Sequence, residues 1–173
     1  MNIQFEPLNQ FHLAAVAGVY NWYVANSTAT FHTEPVTPED MLEFLYINHP
    51  RYKSFVIQSD GEFAGYCFLT YHKKRQAYDR TAEVTIYLHP DFRGLGIGRQ
   101  ALEYLEREAR SVKLFILIGV ISGDNVSSIR AFEKAGYVKC AHFRNVGEKF
   151  NTVLDVVAYQ KELVEHPGLT AAD

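Results

Sequence analysis

Basic residues are not in excess. Lys and Arg number 17 against 20 Asp and Glu, and the net charge of −3 excludes a general nucleic-acid binder and makes any anion site a local one. Cysteine is scarce, two residues with no CxxC spacing, so Cys67 and Cys140 are expected to be reduced thiols of a cytoplasmic protein, neither of them a nucleophile. The seven histidines lack the spacing of metal ligands, and no metal is expected. No apolar run approaches the roughly 18 residues that a membrane span needs. Met1-Asn2-Ile3-Gln4-Phe5-Glu6 has neither the basic start nor the apolar core of a signal peptide, so no membrane partner is expected. Internal repeats and low-complexity segments are missing too. What is left is a globular composition, 47% hydrophobic and 21% charged, at 173 residues the size of one domain. A single domain is expected over residues 1–164, with a frayed polar tail over 165–173.

The rest of the chain is organised around TAEVTIYLHPDFRGLGIGRQALEYLERE, from Thr81 to Glu108. Thr81 to Leu88 is β-branched and aromatic, as a strand requires, and Pro90 ends the ladder. Ala101, Leu102, Leu105 and Ala109 then recur at helical spacing. Between strand and helix lies Arg93-Gly94-Leu95-Gly96-Ile97-Gly98. Alternate glycines let a ligand approach the backbone with no Cβ in the way, and the helix N-terminus aims unpaired N–H groups and a positive dipole at an anion. A P-loop is excluded, because no Lys-Ser or Lys-Thr follows the glycines. Gly96-x-Gly98-x-x-Ala101 has the form of a dinucleotide fingerprint but lacks the acidic residue about 20 positions on, where Phe115-Ile116-Leu117-Ile118 stands. Two readings remain for Arg93-x-x-Gly96-x-Gly98: a pyrophosphate loop, or an ordinary glycine-rich turn from strand to helix.

Ile3 and Phe5 suggest a short first strand. Pro7 and Asn9 break and cap before a helix from His12 to about Ala25, whose Leu13, Val16, Tyr20 and Val24 seek a core. Residues 26–36 sustain no period and form a loop. Thr37-Pro38-Glu39-Asp40 starts a second helix, with Asp40 in capping-box spacing from Thr37, and this helix ends before Pro50. Phe55 to Gln58 and Phe63 to Leu69 flank an Asp60-Gly61 turn and form an antiparallel pair. The basic connection from His72 to Arg80 reads as a solvated loop. Leu114 to Ile121, apolar throughout, has the pattern of a strand buried on both faces. Val126 to Ala135 is a helix closed by Gly136. Two strands near Tyr137 to Arg144 and Thr152 to Gln160 flank the connection Asn145 to Asn151. This order predicts an α/β protein with a mixed, mostly antiparallel sheet flanked by helices.

Sheet order and glycine loop together resemble the GCN5-related N-acetyltransferases (GNAT) over nearly the whole chain, and within them the phosphinothricin and methionine sulfoximine N-acetyltransferases. Four further segments carry the likeness. They are Asn26-Ser27-Thr28-Ala29-Thr30-Phe31-His32-Thr33-Glu34-Pro35, Lys73-Lys74-Arg75-Gln76-Ala77-Tyr78-Asp79 leading to Thr81-Ala82-Glu83, Asn125-Val126-Ser127-Ser128-Ile129, and Val146-Gly147-Glu148-Lys149-Phe150. The resemblance implies the acyl-CoA N-acyltransferase fold, acetyl-CoA as co-substrate, a small amino acid as acceptor, a homodimer, and direct acetyl transfer to a primary amine.

Such an amine is mostly protonated near neutral pH and needs a base, and Glu83 stands at the position that the branch uses for one. By the same resemblance, a backbone N–H among Ile86, Tyr87 and Leu88 meets the charge on the thioester oxygen. Arg93, Gly94, Leu95, Gly96, Ile97, Gly98 and Arg99 hold the pyrophosphate. Asn125 reaches the pantetheine arm and also suits an N-cap, with Ser128 beside it. Lys73 and Arg75 match cations that capture a carboxylate or phosphinate. Phe31 and Tyr78 wall the pocket, and Lys149 joins the substrate contacts. The chain departs from the pattern at Phe132, where many superfamily members carry a Tyr and this branch often a His to protonate the leaving thiolate. Departure as the thiolate, Ser128 or water would have to serve instead. The basic loop argues against a peptide acetyltransferase, and Glu83 against a non-catalytic acyl-CoA-binding module.

Overall fold

The computed structural model describes residues 1–163. Within them, seven strands form one sheet: β1 (Ile3–Pro7), β2 (Ser54–Ser59), β3 (Glu62–Tyr71), β4 (Thr81–Leu88), β5 (Ile116–Ser122), β6 (Val138–Lys149) and β7 (Thr152–Glu162), in the order β1-β2-β3-β4-β5-β7-β6. Neighbours are antiparallel except β4 and β5, which are parallel. Three α-helices join them: α1 (Leu13–Asn26), α2 (Ile97–Ser111) and α3 (Val126–Lys134). The tail expected to fray, from 165 on, lies outside the described residues.

Alternation on the strands sorts side chains into two cores, one on each face of the sheet. On one face α1 packs Val16, Tyr20 and Tyr23 against Val56, Tyr66 and Phe68. On the other, α2 sets Ile97, Ala101, Leu102, Leu105 and Ala109 against Leu69, Ala82, Val84 and Leu117, all buried. Each leucine so placed contributes about 1.5–3 kcal/mol relative to exposure. Since α1 covers only the β2–β4 half of its face, the prediction that the fifth strand is buried on both sides fails. Leu117 and Ile121 are buried, whereas Val120 is 53% exposed.

The helix expected after Thr37 is also not there. Its cap forms as predicted, with Thr37 N donating to Asp40 Oδ2 at 2.7 Å and Asp40 N to Thr37 Oγ1 at 3.1 Å. Only a 3-10 turn, Asp40–Glu43, follows. Met41 and Leu45 sink into the α1 core while Tyr46 joins the aromatic group of Tyr52 and Tyr71. Serving both destinations bends the chain, and Asn48 takes a left-handed φ of 57°.

The last two strands are longer than their sequence pattern. The expected connection 145–151 shrinks to Phe150-Asn151, both left-handed at φ 53° and 55°, as a two-residue hairpin turn matching strand twist requires. Lys149 is therefore the final residue of β6. Instead of meeting substrate, it is buried and its Nζ donates to Ser27 O at 2.7 Å, Thr30 O at 2.8 Å and Tyr23 O at 3.3 Å. Burial pulls its pKa below the ordinary lysine value. The three carbonyls consume the ammonium's three donors, so the hairpin tip is pinned to the end of α1 and to the loop that follows.

Lys149→Met keeps the apolar stem and removes the donors. It is expected to lower the free energy of unfolding in urea by about 2–3 kcal/mol. A loss below about 0.5 kcal/mol, the scale of an ordinary surface change, would show that the loop holds without it.

Candidate active site

Strand β4 carries the site. Ala82 and Val84 point into the α2 core, so Glu83, Thr85 and Tyr87 turn toward the face of α1. Pairing with β3 continues from Tyr71↔Ala82 to Gly65↔Leu88, whereas pairing with β5 stops at Glu83↔Ile118. From there β4 and β5 part. The β5-facing edge of Val84 to Leu88 is left without a strand partner, and Glu83 stands at the fork. Gly65 permits the close approach at the far end. It has φ 149°, and a Cβ there would lie 2.3 Å from Tyr87 O. The Tyr87 side chain is partly buried among the phenols under α1, and its desolvation there raises its pKa well above that of free tyrosine. Leu88 O accepts from Tyr23 Oη at 2.7 Å.

The turn behind β4 is built by conformation. Gly94 and Gly96 have φ 77° and 80°, the left-handed region, and Gly96 is the N-cap of α2. Ile97, Gly98 and Arg99 follow as the first helical residues, whose N–H groups have no partner within the helix. Ile97 is fully buried and fixes the turn to the core. Gly98 needs no special φ, and a Cβ on it would meet nothing within 4 Å. The protein itself gives that glycine no reason; a phosphate resting on the N–H groups would. Arg93 lies over the Trp22 ring at 4.8 Å and donates from Nε to Pro90 O at 3.3 Å, so it borders the turn from the α1 side. Arg99 pairs outward with Glu103 at 2.8 Å, leaving its backbone N–H at the site. Leu95 is half exposed at the rim.

Across the fork, Asn125 caps α3 and accepts from Ser128 N at 3.2 Å. Phe132 is buried against β5, where a Cβ on Gly119 would lie 2.2 Å from its ring, and it stacks edge-on with Tyr137. It offers no proton. A tie invisible in the sequence closes this side: Thr28 Oγ1 donates to Asp124 Oδ2 at 2.8 Å, and Ser122 Oγ to Asp124 Oδ1 at 2.6 Å.

Phe31, on the same loop as Thr28, is partly exposed and packs on Gly147, whose missing Cβ makes room for the ring. On the opposite side, residues 72–79 return the chain from β3 to β4, held by Arg51, which donates to Asp79 O at 2.7 Å. There the Arg75 guanidinium lies over Tyr78 at 5.6 Å, and Tyr78 meets His72 edge-on at 5.8 Å. His72 Nδ1 is 2.9 Å from Glu83 Oε1, and the two side chains are 26% and 29% exposed. Lys73 is exposed at the start of this loop. Arg75 and Tyr78 are thus joined to Glu83 through His72, which charge pattern alone reads as part of a solvated run. Strand alternation carries the missing signal: Tyr66, Phe68, Thr70 and His72 are every second residue, and Thr70 lies opposite Glu83.

Residues 16–137 match the acetyltransferase (GNAT) family. The chain belongs to that family. It is 30% identical over 160 residues to phosphinothricin N-acetyltransferase of Streptomyces viridochromogenes, covering 92% of this chain and 87% of that one. The L-methionine sulfoximine/L-methionine sulfone acetyltransferase of Salmonella typhimurium is 29% identical over 154 residues, 88% of this chain and 90% of that protein. In structure, the phosphinothricin acetyltransferase of Sinorhizobium meliloti in complex with acetyl-CoA superposes with a TM-score of 0.91 at 27% identity, covering 100% of this chain and 95% of that one. The GNAT protein is an acetyltransferase with acetyl-CoA as co-substrate, and the sheet and helices are those of the family's fold. Its glycine turn fits that co-substrate, having free N–H groups and open space over Gly98. Among the described residues, no group of three or more His, Cys, Asp or Glu could hold a metal ion, and no helix is long and apolar enough to cross a membrane.

Gly98→Ala separates folding from binding. Alanine is favoured over glycine in a helix by up to about 1 kcal/mol, so the melting temperature without ligand should hold or rise. A Cβ over the N–H groups should shrink the thermal shift given by acetyl-CoA, about 2.7 kcal/mol for the parent at 100 times Kd. An undiminished shift would place the pyrophosphate elsewhere.

Proposed function

We propose that the protein is a cytoplasmic, homodimeric N-acetyltransferase that moves acetyl from acetyl-CoA to the α-amine of a small amino acid or toxic analogue of the phosphinothricin or methionine sulfoximine type, with Glu83 as general base. The observation that carries this reading is the position of Glu83 at the fork of β4 and β5, partly exposed and linked to the loop that bears Arg75 and Tyr78. Relatives that act on phosphinothricin and on methionine sulfoximine support the acceptor class. Exposed Val120 and Phe143, on one face of β5–β7, support a second copy as neighbour.

Glu83 removes a proton from the ammonium, directly or through one water, and so frees the lone pair that attacks the thioester carbon. Unpaired N–H groups on β4 between Ile86 and Leu88 stabilise the charge that develops on the carbonyl oxygen. As the carbon–sulfur bond breaks, the nitrogen gives up its second proton to water; Phe132 supplies nothing, and the sulfur departs as thiolate or takes a proton from water or Ser128. Lys73 and Arg75 receive the acceptor's anionic group, with Arg75 oriented by Tyr78 and Phe31 closing the other wall. A groove for basic peptides would carry the opposite charge where Lys73, Lys74 and Arg75 stand.

Replacing the base by Glu83→Gln should lower kcat by roughly 10² to 10⁴ with acetyl-CoA binding retained, and the residual rate should climb with pH as free amine accumulates. Parental turnover near pH 7 would remove Glu83 from the chemistry. Arg75→Ala should raise KM for the amino acid roughly 10- to 150-fold and leave KM for acetyl-CoA nearly unchanged, with Arg75→Lys recovering part of the loss. Comparing a free amino acid with its amide tests the same point. Equal kcat/KM for both would rule out carboxylate capture.

A further inference from the structure

On β3 the residues Tyr66, Phe68 and Thr70 share with Glu83, Thr85 and Tyr87 the face turned to α1. His72 is the next member of that alternation, one residue past the end of the strand and diagonal to Glu83, within the reach of cross-strand side chains. An ionised carboxylate can only accept, so in the 2.9 Å contact Nδ1 of His72 carries the hydrogen and donates to Glu83 Oε1. Tyr78 presses edge-on against the imidazole and carries Arg75 over its own ring. Four side chains therefore run in contact from the acceptor loop to the carboxylate.

A glutamate with 29% of its side chain exposed has several rotamers open to it, and its terminal torsion is soft. One charge-assisted hydrogen bond selects among them. We infer that His72 is a positioning residue: it fixes one oxygen of Glu83 so that the other is presented to the amine, and it ties that orientation to the loop bearing Arg75 and Tyr78. This rests on the reading of Glu83 as the base. His72 itself touches no reacting atom in this scheme.

The experiment is a double-mutant cycle, with kcat and both KM values measured for His72→Ala, His72→Asn, Glu83→Gln and His72→Ala combined with Glu83→Gln. The thermal shift given by acetyl-CoA serves as the check that each variant is folded. His72→Ala should lower kcat roughly 10- to 100-fold, the range for a lost hydrogen bond to a charged group, while KM for acetyl-CoA stays within about twofold. His72→Asn, whose amide nitrogen can take the place of Nδ1 as donor, should recover part of that loss. In the Glu83→Gln background, His72→Ala should change little, because the group it positions is no longer a base. If Glu83→Gln is impaired while His72→Ala keeps parental kcat, the positioning role falls and the base stands. The positioning role also falls if Asn does no better than Ala, or if the His72→Ala penalty is undiminished on top of Glu83→Gln. Parental turnover by Glu83→Gln overturns the base and, with it, this role.

Discussion

Everything at the site depends on two parallel strands following different partners. β4 stays with β3 as far as Leu88, and β5 stays with β7 as far as Ser122, so the register they share ends at Glu83↔Ile118. Backbone polar groups are costly to leave unpaired in a protein interior, and here the β5-facing groups of β4 beyond Glu83 have no strand partner. On the proposed reading acetyl-CoA satisfies them, and the fork serves as its binding site. The residue at its apex is Glu83.

The walls of the fork come from segments without regular structure, and side chains hold those segments in place. Residues 27–36 are fastened by the Lys149 ammonium on the carbonyls of Ser27 and Thr30, by Thr28 on Asp124, and by the Tyr20 hydroxyl, which bonds both Thr30 and His32. The first tie reaches from the tip of the β6–β7 hairpin and the second from the end of β5. Arg51 fastens residues 72–79 from the other side.

Local patterns in the sequence carried most of the frame. The strand, glycine turn and helix from Thr81 to Ser111 were legible because each element has its own signal within a few residues, and Asn9, Asp60-Gly61 and Gly136 likewise mark their turns locally. The missing second helix shows the limit: Thr37 and Asp40 formed their cap, but aromatic packing farther on decided what came next. Position relative to other strands was harder to see. Lys149 looked like a loop cation until the hairpin length made it a buried strand end, and His72 looked solvated until the β3–β4 register set it beside Glu83. Val120 reads as buried from its own strand, and only the placement of α1 leaves it uncovered.

Phe132 can lie flat on β5 only because residue 119 has no side chain; even a methyl group there would overlap the ring. Two positions well separated in the chain therefore form one heritable unit. A lineage that gained a side chain at 119 would first have to shrink or turn away the ring at 132, and one that brought a hydroxyl or imidazole back to 132 would inherit the demand for glycine at 119. What position 132 can carry is thus constrained by a strand residue thirteen positions before it.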